Sequence, residues 1–194
     1  MMAKKTKEGN KTKEEKPAEE FDLKKEIMDY LLMFLVVGAV VFVVNGIILI
    51  NARIPSESMQ NTIMVHDRVF GYRFAYKSKD PERFDIVIFR FPDDERTLFI
   101  KRIIGLPGDT VTISDGKVYI NGSDEPLDDS FCPEKPEGDY GPYVVPENCY
   151  FMMGDNRNCS NDSRFWVNKF VARDKILGKA VFRYWPLTRM GKVS

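Results

Sequence analysis

The pattern of apolar and polar positions divides the chain into a polar tail, one long apolar run and a region of short alternating runs. Residues 30–50 contain no charge and a single amide, Asn45. Twenty residues of helix rise about 30 Å, the thickness of the hydrocarbon layer of a bilayer. The run lacks the polar stripe of a core helix, and it is too long and too far from Met1 for a cleaved signal peptide. It predicts a single transmembrane helix over residues 28–50.

The residues before this run are polar, with eight lysines among the first 26 positions. Such a segment buries too little apolar surface to offset its ordering entropy, so residues 1–27 are predicted to be a disordered tail. Lys24 and Lys25 precede the span, whereas only Arg53 follows it closely. The excess of Lys and Arg before the span predicts a cytoplasmic tail and places residues 51–194 outside the plasma membrane.

Short runs rich in β-branched and aromatic residues fill the chain after the span, and they predict β strands. These runs cover residues 68–74, 84–91, 97–105, 109–113, 117–122, 149–154 and 179–185. Asp115 and Gly116 suit the tight turn of a hairpin between two of them. The segment 124–148 is interpreted as a long loop in which Asp128 and Asp129 face solvent. The predicted fold is mostly β, an antiparallel domain on a single N-terminal transmembrane helix.

Charge and cysteine content narrow the possible partners. The 29 basic and 29 acidic residues cancel, which argues against a nucleic-acid partner. One histidine, His66, and the absence of a CxxC motif argue against a zinc site, and no metal or cofactor is predicted. Cys132, Cys149 and Cys159 are odd in number, so they cannot all pair internally. A bridge between Cys132 and Cys149 across their Pro- and Gly-rich loop stays open at this point.

A hydrolase needs a nucleophile and a group that accepts its proton. His66 lies in what reads as a turn into a strand, so lysine is the remaining candidate base. Strand alternation places Lys101 on one face with Phe99 and Ile103, and Arg102 on the other. One face should cover a core and desolvate its basic group, which lowers the pKa of a lysine. The alternative is a lysine that extends to the surface along its strand.

Two serines close to the predicted membrane exit are candidate nucleophiles. Ser56 and Ser58 lie in the stretch "IPSESMQNTI" at residues 54–63. Serine and proline are also ordinary turn residues, so this stretch is equally compatible with a polar turn that leaves the membrane. Residue types and spacing alone therefore give a membrane-anchored β domain with a candidate Ser–Lys site.

Five stretches together resemble the bacterial type I signal peptidases, membrane-bound serine proteases that remove signal peptides from exported proteins. In chain order they are "IPSESMQNT", "FDIVIF", "FIKRIIGLPGD", "MGDNRNCSNDSR" and "GKAVFRYWPLTRMG". The resemblance covers essentially all of residues 50–194. It implies a largely antiparallel β domain with an apolar surface resting on membrane lipid, and secreted pre-proteins as partners.

The resemblance also implies a role for individual residues. Ser58 corresponds to the nucleophile and Lys101 to the general base. The Ser56 hydroxyl would join the Ser58 backbone N–H in the oxyanion hole, and Ser160 would orient the lysine. Asp162 and Arg164 match a supporting pair behind the site, and Ile54, Pro55 and Ile100 are expected to line the substrate groove. The substrate would bind as an extended strand, with small residues at the first and third positions before the cut.

The sequence departs from the family pattern at three places. Asn61 stands where the family usually has proline, which removes a fixed φ after the nucleophile. Cys159 occupies a position usually held by a small polar residue, and "FWVNKF" replaces an aromatic-Gly continuation.

Two other functions are compatible with parts of this pattern. A self-cleaving Ser–Lys protease of the phage-repressor type is soluble and binds DNA, which the predicted span contradicts. A non-catalytic membrane-anchored β module that binds envelope proteins would not need Lys101.

Overall fold

The computed structural model of the protein describes residues 22–132 and 134–193. Most of the predicted disordered tail, residues 1–21, lies outside the described residues. Residues 23–27, predicted as the end of that tail, are helical.

One apolar helix precedes the β domain in the chain. The α-helix α1 runs from Leu23–Val43 and continues as a π-helical segment, Val44–Ile48. It begins where the carboxylate of Asp22 accepts the backbone N–H groups of Lys24 and Lys25, at 3.0 and 3.3 Å, as an N-cap residue does. The 26 residues 23–48 are long and apolar enough to cross a membrane.

Eleven strands follow the helix within the described residues. They are β1 (Leu49–Arg53), β2 (Arg68–Tyr72), β3 (Ile86–Arg90), β4 (Leu98–Gly105), β5 (Thr110–Ser114), β6 (Lys117–Ile120), β7 (Tyr140–Val144), β8 (Cys149–Met153), β9 (Val171–Ala172), β10 (Ile176–Trp185) and β11 (Gly191–Lys192). Three 3₁₀ turns cover Arg73–Tyr76, Arg173–Lys175 and Leu187–Arg189.

The strands form two antiparallel sheets. The larger has the order β1-β2-β10-β3-β4-β8-β9, with β11 on β10, and the smaller has the order β6-β5-β7. Strand β4 pairs with β3 along 98–102 and with β8 only from Arg102 onward. Among the described pairings, β1 bonds only to β2 and residues 98–101 bond only to β3. One edge of β1 and one edge of the first half of β4 are therefore open.

The prediction of an antiparallel β domain with one N-terminal apolar helix is confirmed. Every predicted strand is present, but β1, β7 and the two-residue strands β9 and β11 were missed. Leu49 and Ile50 were assigned to the span, yet they pair with Tyr72 and Gly71 of β2. An apolar run does not reveal by periodicity where a helix gives way to a buried strand.

The interior contains three apolar clusters, and two of them cover opposite faces of β4. Ile103 lies in the first and Ile104 in the third. The second, called here the loop cluster, contains Ile54, Met59, Ile63, Val69, Ile86, Ala180 and Val193. It lies beneath the connection between β1 and β2, residues 54–67, called here the Ser58 loop. The loop cluster anchors this connection to the sheet.

Candidate active site

The Ser58 loop and strand β4 bring Ser58 and Lys101 into direct contact. The Lys101 Nζ lies within hydrogen-bond distance of the Ser58 Oγ, 43 residues apart in the chain. Ser58 is 5% exposed and Lys101 is 4% exposed. Both side chains are thus held in a buried environment with little access for solvent.

Packing and backbone hydrogen bonds fix the position of Ser58. Met59 and Ile63, four residues apart in the loop, are fully buried in the loop cluster. The Ile63 N–H donates to the Met59 carbonyl at 2.7 Å, and the Asn156 N–H donates to the Ser58 carbonyl at 3.1 Å. The apolar residues after the serine hold it in place.

Burial lowers the pKa of Lys101 from 10.5 to about 8. Desolvation is the dominant cause, because Lys101 projects among apolar groups and its Nζ lies 5.5 Å from the Phe99 ring centroid. Asp162 and Asp155 oppose the decrease, and Arg164 adds to it. The environment of Lys101 thus favours the neutral amine.

Arg102 is also buried, at 3% exposure, so the expectation that only one of the two basic groups would be desolvated was incomplete. Both faces of β4 are covered. A guanidinium does not give up its proton when buried, so it needs a partner. Its Nε and Nη2 donate to the two carboxylate oxygens of Asp155, at 2.8 and 2.7 Å.

Asp155 also reaches the Ser58 loop. The Thr62 hydroxyl donates to Asp155 Oδ2 at 2.6 Å. The residue next to Lys101 is therefore tied through one carboxylate to the loop that carries Ser58. Sequence reasoning missed Thr62 and Asp155, although both lie inside the motifs that carried the resemblance.

The two remaining serines of the predicted site differ in their contacts. The Ser56 Oγ lies 3.4 Å from the Ser58 Oγ and is exposed. Ser160 is 5% exposed, and its hydroxyl has no hydrogen-bond partner among the described residues. The expected hydrogen bond between Ser160 and Lys101 is not present among the described residues.

Gly154 lets the Ser160 segment approach the Ser58 loop closely. A Cβ at this position would lie 2.2 Å from the Ser160 Oγ and 2.4 Å from the Ser58 carbonyl oxygen. Real Cβ atoms do not come so near to other atoms, so any side chain at position 154 would push the two serines apart.

Asp162 and Arg164 form a buried bidentate ion pair, at 2.8 and 2.9 Å. The Asp162 carboxylate also accepts the Gly154 N–H at 3.1 Å, and the Arg164 guanidinium donates to the Arg157 carbonyl at 2.5 Å. The pair thus fixes the backbone on both sides of Ser160.

The segment predicted as a long loop contributes two further contacts. Asp129 was expected to face solvent, but its carboxylate accepts a hydrogen bond from the buried Arg157 at 2.6 Å. The Phe131 ring centroid lies 4.1 Å from the Arg102 guanidinium carbon. Arg157 and Arg102 both need partners on the side that faces this segment. The loop-like composition of the segment does not indicate which buried charges its residues will contact.

An open groove of about 490 Å³ leads to Ser58 and Lys101. Its walls are residues 51–56, Ser58, Ile88, residues 97–101, Cys159 and Asn161. The predicted groove residues Ile54, Pro55 and Ile100 are among them. The groove runs between the open edges of β1 and β4, so its two sides present unpaired backbone groups. Its shape and edges suit an extended peptide.

The thiols and acidic groups do not form a metal site in the described part of the chain. No group of three or more His, Cys, Asp or Glu side chains there is placed to hold a metal ion. Cys132, Cys149 and Cys159 are all free thiols in this structure, which thus contains no bridge between Cys132 and Cys149. The groove contains the hydroxyls of Ser56 and Ser58, the buried amine of Lys101 and the thiol of Cys159.

A buried serine hydroxyl in contact with a lysine amine, at the end of a peptide-sized groove, is the type of site found in hydrolases that act through a serine nucleophile. The sequence model of the signal peptidase family, peptidase S26, matches residues 27–185. The chain belongs to this family, which confirms the resemblance seen in the sequence. The family is one of serine peptidases, and its anchoring by a membrane helix fits the apolar helix of this chain.

The chain is also similar to individual signal peptidases. The chain is 44% identical over 146 residues to a probable signal peptidase I-2 of a Synechocystis species, covering 73% of this chain and 65% of that protein. It is 40% identical over 148 residues to a signal peptidase I of Leptolyngbya laminosa, covering 73% and 71%. It is 32% identical over 177 residues to signal peptidase I P of Bacillus subtilis subsp. natto, covering 86% and 94%. A crystal structure of a signal peptidase I from Enterococcus faecalis matches with 36% identity and a TM-score of 0.44, covering 52% of this chain and 97% of that one.

Proposed function

We propose that this protein is a signal peptidase I that cleaves N-terminal signal peptides from exported pre-proteins, with Ser58 as nucleophile and Lys101 as general base. The observation that carries the proposal is the buried contact between these two groups at the end of the groove. Family membership supplies the substrate class, and the contact supplies the chemistry.

In the proposed reaction, the neutral Lys101 amine takes the Ser58 proton as the serine oxygen attacks the scissile carbonyl. The resulting ammonium then gives its proton to the leaving amine of the mature protein, which leaves an acyl-enzyme on Ser58. Water enters, Lys101 takes one of its protons, and hydrolysis of the ester frees the signal peptide. Each proton that the lysine accepts is returned within the cycle.

The lowered pKa of Lys101 makes this role feasible near neutral pH. With a pKa of about 8, roughly one lysine in ten is neutral at pH 7, compared with about one in 2,500 for an ordinary lysine. Burial therefore removes about 3 kcal/mol of the cost of deprotonating the base, at roughly 1.4 kcal/mol per pKa unit.

The oxyanion of the tetrahedral intermediate would be held by the Ser58 backbone N–H and the Ser56 hydroxyl. The 3.4 Å between the two serine oxygens supports this role, because it places a second hydroxyl beside the atom that attacks. A donor of this kind typically contributes about 3–4 kcal/mol to the transition state.

Ser160, Asp162 and Arg164 would orient the base. The buried Ser160 hydroxyl, unpartnered among the described residues, is available to the Lys101 amine once Nζ leaves the Ser58 oxygen during proton transfer. The Asp162–Arg164 ion pair holds the backbone around Ser160. The pair acts behind the site and does not touch the substrate.

The substrate would lie as an extended strand between β1 and β4, where Ile54, Pro55 and Ile100 form apolar walls. Small residues at the first and third positions before the cut would face these walls. Backbone hydrogen bonds to the open strand edges would fix the register of the cut relative to Ser58.

The domain assignment and the orientation in the membrane belong to the same proposal. Lys24 and Lys25 lie at the amino-terminal end of the helix over residues 23–48, which favours a cytoplasmic N-terminus, a transmembrane segment within that helix and an extracytoplasmic domain that begins with β1. A substrate's apolar segment can then remain in the bilayer while its cleavage site reaches Ser58 at the outer surface. Membrane lipid is a partner in this arrangement.

Cleavage of a purified pre-protein in detergent or lipid tests the proposal. The wild type should release a mature protein whose new N-terminus follows a small residue, whereas Ser58→Ala and Lys101→Met should leave the precursor intact. Ser78→Ala and Lys117→Met, which change exposed residues away from the groove, serve as matched controls. A folded wild type that leaves the precursor uncut would refute the peptidase assignment and favour the non-catalytic β module.

A further inference from the structure

The segment 183–193, at and beyond the end of β10, returns to the Ser58 loop. Asp67, the last residue of that loop, is fully buried, at 0% exposure. Its Oδ1 accepts a hydrogen bond from Arg189 Nη2 at 2.5 Å, and its Oδ2 accepts the Met64 N–H at 2.9 Å. One carboxylate therefore joins the short 3₁₀ turn Leu187–Arg189 to the backbone of the loop.

Arg183 makes a second connection to the same loop. Its Nη1 donates to the Thr62 carbonyl at 2.9 Å and lies 3.6 Å from Asp67 Oδ2. Its Nε donates to the Arg189 carbonyl. The two arginines thus support each other and hold both Thr62 and Asp67.

Apolar packing joins the two segments as well. Val193 is 8% exposed and belongs to the loop cluster together with Met59 and Ile63, the residues that anchor Ser58. Its N–H donates to the Val181 carbonyl at 3.2 Å, which holds it in place. Hydrogen bonds fix Thr62, four residues after Ser58, in addition to this packing: Arg183 donates to its carbonyl, and its hydroxyl donates to Asp155.

We infer that Arg189 is a positioning residue for the proposed peptidase reaction, acting through Asp67 to hold the Ser58 loop in register with Lys101. This inference rests on the proposed function. Arg189 is 38% exposed and lies outside the apolar clusters, so its removal leaves the core packing intact. Its removal takes away the donor to Asp67 Oδ1, whereas the Met64 N–H and Arg183 remain beside Oδ2. The buried Oδ1 then needs another donor, and the loop shifts to find one.

The effect should appear in the chemical step more than in substrate binding. Arg189 does not line the groove, so the walls that hold the peptide are unchanged. A displacement of about 1 Å between a nucleophile and its base can lower the rate about 100-fold. Arg189→Met is therefore expected to lower kcat between about 10- and 100-fold, with KM within about twofold of the wild type.

The experiment compares kcat and KM for cleavage of a purified pre-protein by the full chain in detergent, for the wild type, Arg189→Met, Arg189→Lys and Arg96→Met. Arg96 is exposed, and its side chain has no hydrogen bond or ion pair among the described residues, so it is the matched control. Arg189→Lys keeps the charge that faces Asp67 and should restore kcat to within about threefold of the wild type. Urea unfolding of each variant verifies that the folded fraction is unchanged.

A double variant tests whether Arg189 acts through Asp67. If it does, Asp67→Asn combined with Arg189→Met should be no slower than the slower of the two single variants, because residues of one network are not additive. A kcat for Arg189→Met within twofold of an active wild type would overturn the inference, as would a lysine variant as slow as the methionine variant or fully additive losses. A wild type without activity would instead overturn the proposed function, and this role with it.

Discussion

Lys101→Met should make the protein more stable while abolishing its proposed activity, and the gain should depend on pH. The ordinary pKa of 10.5 applies in the unfolded chain, whereas burial lowers it to about 8 in the folded one. Below pH 8 the lysine is protonated in both states, so the folded protein bears the full cost of a buried ammonium. Between pH 8 and 10.5 unfolding takes up a proton, so the wild type gains stability as the pH rises.

The difference between the two pKa values corresponds to about 3 kcal/mol of destabilisation at pH 7. Methionine has a similar length and does not titrate, so it escapes this cost. The stability advantage of Lys101→Met should therefore shrink by about 2–3 kcal/mol between pH 7 and pH 10. Contributions from side-chain packing are constant with pH and do not alter this trend.

Urea unfolding of the full chain in a non-ionic detergent, followed by tryptophan fluorescence to which the buried Trp166 contributes, measures this difference. Lys117→Met removes an exposed lysine and should show no such pH dependence relative to the wild type. If the difference between Lys101→Met and the wild type stays constant from pH 7 to pH 10, or widens, then Lys101 is not buried as an amine of lowered pKa. The base assignment would lose its physical support.

Three other predictions follow from the site. The wild-type kcat/KM for a pre-protein should fall about tenfold per pH unit below pH 7, because protonation of Lys101 removes the base. A kcat/KM that stays flat from pH 5 to pH 8 would exclude a lysine base with a pKa near 8. Asn61 has a φ of +79°, which glycine adopts readily and proline cannot adopt. In the same cleavage assay, Asn61→Pro should therefore lose most activity and Asn61→Gly should keep it. Equal activities of the two variants would contradict this loop conformation. A bulky maleimide should block cleavage by the wild type but not by Cys159→Ser, because the exposed Cys159 lines the groove. Cys132 should react little, since burial raises the pKa of its thiol to about 11. Inhibition that persists in Cys159→Ser would place the reactive thiol elsewhere.

Period-two alternation and turn residues were sufficient to predict most of the strands, because those strands each cover a core with one or both faces. Strand β7 was missed because its sequence, "YGPYV", contains the glycine and proline that signal a loop. It exists because Thr110 and Val111 of β5 pair with Val144 and Tyr143. Such a pairing is a tertiary event, and local propensity does not record it.

Asn61, which replaces the usual proline, shows a different limit on what the sequence predicts about the Ser58 loop. Replacement of the usual proline was expected to leave the turn after Ser58 less constrained. The structure instead places Asn61 in the left-handed region, which asparagine tolerates better than most residues. The turn has therefore exchanged one backbone conformation for another. A sequence that lacks the expected residue does not state which alternative the chain has taken.

The contact between Ser58 and Lys101 depends on buried charges that neither residue supplies. Arg102 follows Lys101 on β4, and its partner Asp155 holds Thr62 in the Ser58 loop. A buried ion pair adds little net stability compared with apolar residues of the same volume, but removal of one partner leaves a charge that the interior does not tolerate. The Arg102–Asp155 pair thus contributes little to the net stability of the fold, but it fixes the distance between β4 and the Ser58 loop. In this protein those segments carry the candidate nucleophile and the candidate base.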